Sequence, residues 1–230
     1  MLVVGKGLLA GAFEAHANSD HDFVVFASGV SKSSETRAEE FARERDMLAP
    51  FLSERRRIVY FGSCGSATGD EGAETAYMRH KRDMENRVLD SGNGVVLRLP
   101  QVVGRTANPY TLTNFLHAHI ISGRSFTVWS HAERNLVDVE DVVTIGTHLV
   151  MSSGESSHVF SIAAARSLAM PEIIAIFERV LKRSACCSFE SKGTPLQIEA
   201  PEALAAARLL SIDLGRGYAE SIIRKYYEHP

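Results

Sequence analysis

Short apolar runs alternate along this chain with longer stretches that mix apolar and charged residues. The runs at 2–4, 23–27, 58–61 and 95–99 are nearly uninterrupted and rich in Val, Phe and Ile, which predicts strands buried on both faces. Residues 8–17, 33–52 and 75–89, which lie between them, predict helices. Further on, 110–122, 138–151, 170–182 and 216–227 read as helices, and 126–129, 135–137 and 159–162 as short strands. The helix at 33–52 opens on Ser34-Glu35-Thr36-Arg37, which suits an N-cap and an acidic first turn. The stretch 184–204 is the least patterned and reads as a strand with loops. Strands alternating with helices imply an α/β fold: a parallel sheet with helices on both faces, whose ligands sit at the carboxyl ends of the strands.

Composition narrows the classes. With 230 residues the chain fits one domain, or one core with a smaller lobe. Hydrophobic residues at 45% and charged residues at 23% are ordinary for a globular protein. A net charge of -3 with no basic stripe argues against a nucleic-acid surface. Arg55-Arg56-Arg57 reads as a solvated helix end before a strand. The apolar start lacks a charged n-region and is too short for a signal sequence, and no stretch approaches the length of a membrane span. Three cysteines, two of them adjacent, make no disulfide framework and imply a reducing, cytoplasmic setting.

Candidate chemistry gathers at the predicted strand ends. Gly5-Lys6-Gly7-Leu8-Leu9-Ala10 has G-x-G-x-x-A spacing between a strand and a helix, where a pyrophosphate can approach backbone N–H groups. A tight strand-to-helix turn needs glycine without any ligand, so this signal is weak alone. The acidic residue that normally follows about 20 residues on, at the end of a second strand, has no counterpart. Asp20 and Asp22 follow no strand, so the adenosine side of such a pocket is reduced.

Tyr77 and Lys81 stand four apart and leave one helix face together. An ammonium beside a phenol eases its proton loss, and a tyrosine acting as acid/base needs a neighbouring hydroxyl to hold the substrate oxygen. Ser63, Cys64 and Ser66 are the candidates for that role. The plain alternative for Tyr77 and Lys81 is two solvated side chains. Cys64 as a nucleophile lacks a placed histidine, and strand-end cysteines are often merely buried. His117 and His119 do not share a helix face, and no metal site is predicted. Arg134 offers a fork for phosphate ahead of a strand that runs into the acidic turn at 138–141.

The order of these pieces resembles the extended short-chain dehydrogenase/reductase family, the sugar-nucleotide epimerases and dehydratases. The likeness rests on the Gly5 loop, Phe26-Ala27-Ser28-Gly29-Val30, Tyr60-Phe61-Gly62-Ser63-Cys64, Tyr77 with Lys81, the segment 98–104, the segment 134–142 and His158-Val159-Phe160-Ser161-Ile162-Ala163. It is nearest to a compact subgroup associated with surface polysaccharide synthesis. The resemblance implies a Rossmann-like core at 1–104, continued by about 126–150, and a substrate lobe at 105–125 and 151–230. It implies NAD or NADP held by Gly5, Gly7, Leu8, Leu9, Ala27, Ser28, Gly29 and Pro100. Tyr77 is then the acid/base, and Lys81 binds the nicotinamide ribose and lowers the Tyr77 pKa.

The family's carbonyl-polarising Ser or Thr aligns with Cys64, which leaves Ser63, then Ser66, for that role. A nucleotide-linked sugar is expected against Ser31, Ser66, Gln101, Asn114 and Arg134. The glycine loop is one residue shorter than the family's, and the second and third strands are missing. A homodimer through the helix of Tyr77 and the one before it is implied. The apolar Phe41, Met47, Leu48 and Phe51 of the helix at 33–52 fit either a core or a partner face. The implied activity is an epimerase or 4-keto reductase. A dehydratase is disfavoured, because Gly65-Ser66 stands where an acid is needed. The alternative is a non-catalytic relative that binds a dinucleotide or nucleotide sugar without turnover.

Overall fold

A computed structural model describes residues 1–15, 22–66 and 75–228. The first four apolar runs form the strands β1 (Leu2–Val4), β2 (Phe23–Phe26), β3 (Arg57–Ser63) and β4 (Val95–Leu99). With β9 (His158–Ser161) they make one sheet of order β1-β2-β3-β4-β9, parallel throughout. Val25 lies beside Val3 and Val59, and Tyr60 beside Val96. The expected α/β parallel sheet is therefore present. β9 completes it, although the division drawn from the sequence ends the core near residue 150.

Side chains alternate across each strand, so one run supplies two cores. Val59 and Phe61 face the helices α1 (Leu8–Ala15) and α5 (Val139–Ser152), in one cluster with Phe13, Val142 and Val143. Ile58 and Tyr60 face α2 (Ala38–Leu52) and α3 (Ala76–Asp90), packed on Leu48, Met84 and Val88. The strand order steps one way while α1 lies on the opposite face to α2 and α3. The crossover through α1 thus has the opposite hand to the next two. The strong preference for right-handed units makes the α1 crossover the left-handed one. β1 is the sheet edge.

Three two-stranded ribbons flank the sheet: β5 (Gln101–Val103) with β8 (Leu136–Asp138), β6 (Phe126–Trp129) with β11 (Cys187–Glu190), and β7 (Glu133–Arg134) with β10 (Leu168–Ala169). α4 (Leu112–Ser122), α6 (Met170–Leu181), α7 (Pro201–Leu209) and α8 (Tyr218–Tyr227) follow, and of the α-helices all but α2 and α3 contribute to the larger core. Pro100 separates β4 from β5, since it lacks an N–H for the ladder.

Two sequence readings are corrected. The helix at 33–52 begins at Ala38, because Glu35 accepts from the N–H groups of Thr36 and Arg37 and from the Arg37 guanidinium, which holds this segment out of the helix. The stretch 184–204 yields to a helix at Pro201, whose buried residues are Ala203, Ala206 and Ala207. On α2, Phe41 and Leu48 are buried in the core, whereas Met47 is largely exposed. Among the described residues no helix is long and apolar enough to cross a membrane.

Candidate functional site

β3 carries the chain to Ser63, and a single 3-10 turn over Cys64–Ser66 follows. Residues 67–74 lie outside the described residues, and α3 then starts behind Thr75, whose hydroxyl accepts from Met78 N–H. This brings Tyr77, in the first turn of α3, to the end of β3. Ser63 lies near enough to the Tyr77 phenol to pull its pKa down, and Ser63 Oγ accepts from Gly65 N–H at 3.2 Å. Of the three hydroxyl or thiol candidates, Ser63 is the one that acts on Tyr77. Cys64 is buried beside it, and burial pushes its thiol up to about 12, the reverse of what a nucleophilic cysteine needs.

Lys81 departs from expectation. Its ammonium, only 4% exposed, donates to Tyr60 Oη at 2.9 Å, to Glu44 Oε1 at 3.2 Å and to the Phe61 carbonyl at 3.4 Å. Its three donors are therefore taken by the protein. The Tyr77 phenol is raised to about 12, first by burial, then by the charge of Glu44, with Ser63 pulling it down and Glu85 pushing it up. Burial pulls the Lys81 pKa itself down, with Glu44 holding it up.

Glu44 is the site residue that the sequence reading passed over. It comes from α2 and is fully buried. Besides Lys81 it accepts from Val30 N–H at 2.6 Å, Tyr60 Oη at 2.6 Å and His80 Nε2 at 2.9 Å. These partners outweigh burial and hold its carboxyl down at about 2. Nδ1 of His80 is buried without a hydrogen-bond partner among the described residues. Glu44 and Lys81 are oppositely charged partners at 3.2 Å. Gly29, at the end of β2, closes over this pair: a Cβ there would lie 2.7 Å from Lys81 Nζ and 2.8 Å from Glu44 Oε1. A signal for Glu44 existed, because Phe41, Glu44 and Leu48 fall on one helix face.

A second buried pair supports the same strand ends. Arg98 donates from Nε at 3.0 Å and Nη2 at 2.7 Å to Glu85 Oε2, in space left by Gly62.

At the end of β1, Gly5 has φ +138°, and a Cβ there would collide with the Ala27 carbonyl. Strand packing alone thus requires this glycine. Gly7 differs, since a Cβ added there meets nothing within 4 Å. The N–H groups of the first turn of α1 have no intrahelical acceptor. They border a cleft of about 610 Å³ lined by Lys6, Gly7, Leu8, Arg105, Asn108 and Tyr226, among others. Leu8 packs against Gly104 and Leu9 against the core. Ala27 N–H donates to the Val4 carbonyl, and the Ser28 hydroxyl donates to Met47 Sδ. Ser31 and Gln101 are exposed, and Pro100 is half-buried.

The remaining substrate candidates divide. Both amide protons of Asn114 go to the Thr106 and Asn108 carbonyls, and its oxygen accepts from Tyr227 Oη. Arg134 is half-buried, donates to the Glu133 carbonyl at 2.6 Å, and has no acidic partner among the described residues. Burial pulls its pKa down. Next to it, Asn135 exchanges two hydrogen bonds with the Ala164 backbone, which fixes the bend that presents Arg134. The acidic turn is a clamp: Asp138 caps α5 and accepts from Lys225 and Tyr226 of α8.

No family model matches the sequence, and no curated protein matches it. Solved structures match the fold. One is MoeE5 in complex with UDP-glucuronic acid and NAD, at 17% identity over 88% of this chain and 77% of that one, with a TM-score of 0.67. RMD from Pseudomonas aeruginosa complexed with NADPH gives 14% identity over 99% of each chain and a TM-score of 0.70. The UDP-N-acetylglucosamine 4-epimerase from Bacillus cereus gives 13% identity over 97% of this chain and 96% of that one, with a TM-score of 0.69.

Proposed function

We propose that this chain is an NAD(P)-dependent enzyme acting on a nucleotide-linked sugar, with Tyr77 exchanging a proton with a sugar oxygen. The observation that carries this reading is the closeness of Ser63 to the Tyr77 phenol at the end of β3, with Lys81 one turn further along the same helix. The solved structures of the same fold that hold NAD or NADPH, four of them with a UDP-sugar, support it. The donor set fits the cofactor's diphosphate: open space at Gly7, a helix N-terminus behind it, and Lys6 on the cleft wall. The nicotinamide, when bound, supplies or accepts the hydride. Ser63 orients the sugar oxygen, and Tyr77 gives or takes its proton. Arg134, a half-buried cation without an acid, is offered to the substrate diphosphate. A role in surface polysaccharide synthesis and a homodimer through α2 and α3 belong to the same reading.

The edge position of β1 favours one second reading, a relative that has lost cofactor turnover, because among the described residues no strand lies beyond β1 to carry an adenosine pocket. Titration of NADH and NADPH, followed by nicotinamide fluorescence, separates the two. Saturable binding is expected, with less than about tenfold preference between the two, since the strand that carries the ribose-reading acid is missing. Gly7→Asp, which sets a carboxylate where the diphosphate lies and fits the open space, is expected to weaken binding about tenfold or more without lowering Tm. Absence of binding by folded protein would favour the second reading.

A further inference from the structure

Arg105 follows Gly104, whose lack of a side chain lets the loop after β5 press against α1. A Cβ at Gly104 would lie 2.8 Å from Leu8 Cδ1 and 2.7 Å from Val139 Cγ1. Arg105 is therefore delivered beside the first turn of α1, on the wall of the cleft that Lys6 and Gly7 also line. The side chains of Arg105 and Lys6 have neither an ion pair nor a hydrogen bond among the described residues. The third cation of the cleft, Lys225, is taken by Asp138 and Glu140, each at 2.8 Å. Glu140 is the one acid among the described lining residues, so the cleft keeps two uncompensated positive charges.

We propose that Arg105 binds the cofactor's diphosphate together with Lys6 and the first turn of α1, and that this chain grips its dinucleotide by the diphosphate more than by the adenosine. The inference deepens the proposed function and rests on the cleft being the cofactor's.

The loop that carries Arg105 is tied down. Asn114 of α4 donates to the Thr106 and Asn108 carbonyls at 2.9 and 2.8 Å, and Tyr227 Oη of α8 donates to the Asn114 oxygen at 2.7 Å. Within the loop, Thr106 Oγ1 accepts from Asn108 N–H at 3.2 Å, and Asn108 Oδ1 accepts from Tyr110 N–H at 3.0 Å. A loop already fixed loses little further entropy when a ligand binds. A guanidinium fork meets two phosphate oxygens at once, and such charge-assisted hydrogen bonds are about twice as strong as neutral ones. The other end of a dinucleotide finds less. Among the described residues no strand lies beyond β1 to carry an adenosine pocket. The diphosphate is the charged part of the cofactor, and two free cations beside a helix start match it.

The test is displacement of NADPH by its fragments, followed by nicotinamide fluorescence on the whole protein. Wild type is compared with Arg105→Gln, which nearly keeps the length of the side chain and removes its charge. Inorganic pyrophosphate is expected to displace NADPH, and adenosine at the same concentration is not. Arg105→Gln is expected to weaken NADPH and pyrophosphate binding about tenfold or more, the loss of a charge-assisted contact. Its Tm should match wild type, because the exposed Arg105 side chain has no partner to lose. Displacement by adenosine but not by pyrophosphate would overturn the proposal. NADPH affinity unchanged in Arg105→Gln would also overturn it, while leaving the proposed function standing. A protein that binds pyrophosphate through Arg105, shown by calorimetry, yet binds no NADPH would keep Arg105 as a diphosphate ligand and remove the proposed function.

Discussion

Glu44→Ala is expected to cost the fold about 3–5 kcal/mol, the usual penalty for stripping one partner from a buried ion pair. The loss is large because four groups depend on this carboxylate. The Lys81 ammonium would be buried without a counter-charge, and the Val30 N–H, Tyr60 hydroxyl and His80 Nε2 would each lose an acceptor. The effect has a pH signature. The Glu44 carboxyl is held at about 2, against 4.5 for the free side chain. A folded-state value below the unfolded one means that the stabilisation is complete above pH 4.5 and is lost as pH falls toward 2. Urea denaturation at pH 7 should therefore show the full gap between wild type and variant, and the gap should narrow below pH 4.5. A gap under about 1 kcal/mol at pH 7, as for an exposed pair, would contradict the burial described.

Tyr77→Phe is expected to lower kcat on a nucleotide-linked keto sugar by about 10²–10⁴-fold, the range for removing a positioned acid. The change leaves the ring in place and removes only the hydroxyl, so the loss of stability is expected to be about 1 kcal/mol or less. NAD(P)H affinity and KM should stay within a few-fold of wild type, since the groups proposed for the two diphosphates are the start of α1 and Arg134, which the substitution leaves in place. Steady-state kinetics alongside the fluorescence titration checks both. A variant that retained turnover would remove Tyr77 from the chemistry.

What could be read from the sequence followed from hydrophobic burial. Each apolar run at 2–4, 23–27, 58–61 and 95–99 became a strand, because a parallel sheet covered on both faces needs consecutive apolar residues. The i, i+4 spacing of Tyr77 and Lys81 was equally plain, but spacing fixes only a shared face. The direction of the Lys81 ammonium is decided by Glu44, 37 positions earlier. Glu44 stands among Glu39, Glu40, Arg43 and Arg45, and only its register with Phe41 and Leu48 sets it apart from a solvated charge. Asn114 was placed on the right helix, yet its amide is taken by its own loop and α8, partners far outside any local motif. The helix at Pro201–Leu209 buries three alanines, too small to make a visible apolar stripe. The hand of the α1 crossover depends on which face α1 packs against, which no local pattern encodes.

The account centres on proton and hydride exchange at the end of β3, and the transfer of deuterium tests it most directly. Wild-type protein is incubated with a nucleotide-linked keto sugar and NAD(P)H deuterated at nicotinamide C4, and the product is read by mass spectrometry and NMR. Deuterium on the former carbonyl carbon, with transfer much reduced in Tyr77→Phe, is the predicted result. Protein that binds the cofactor yet leaves no deuterium on any of the keto sugars tried would contradict it.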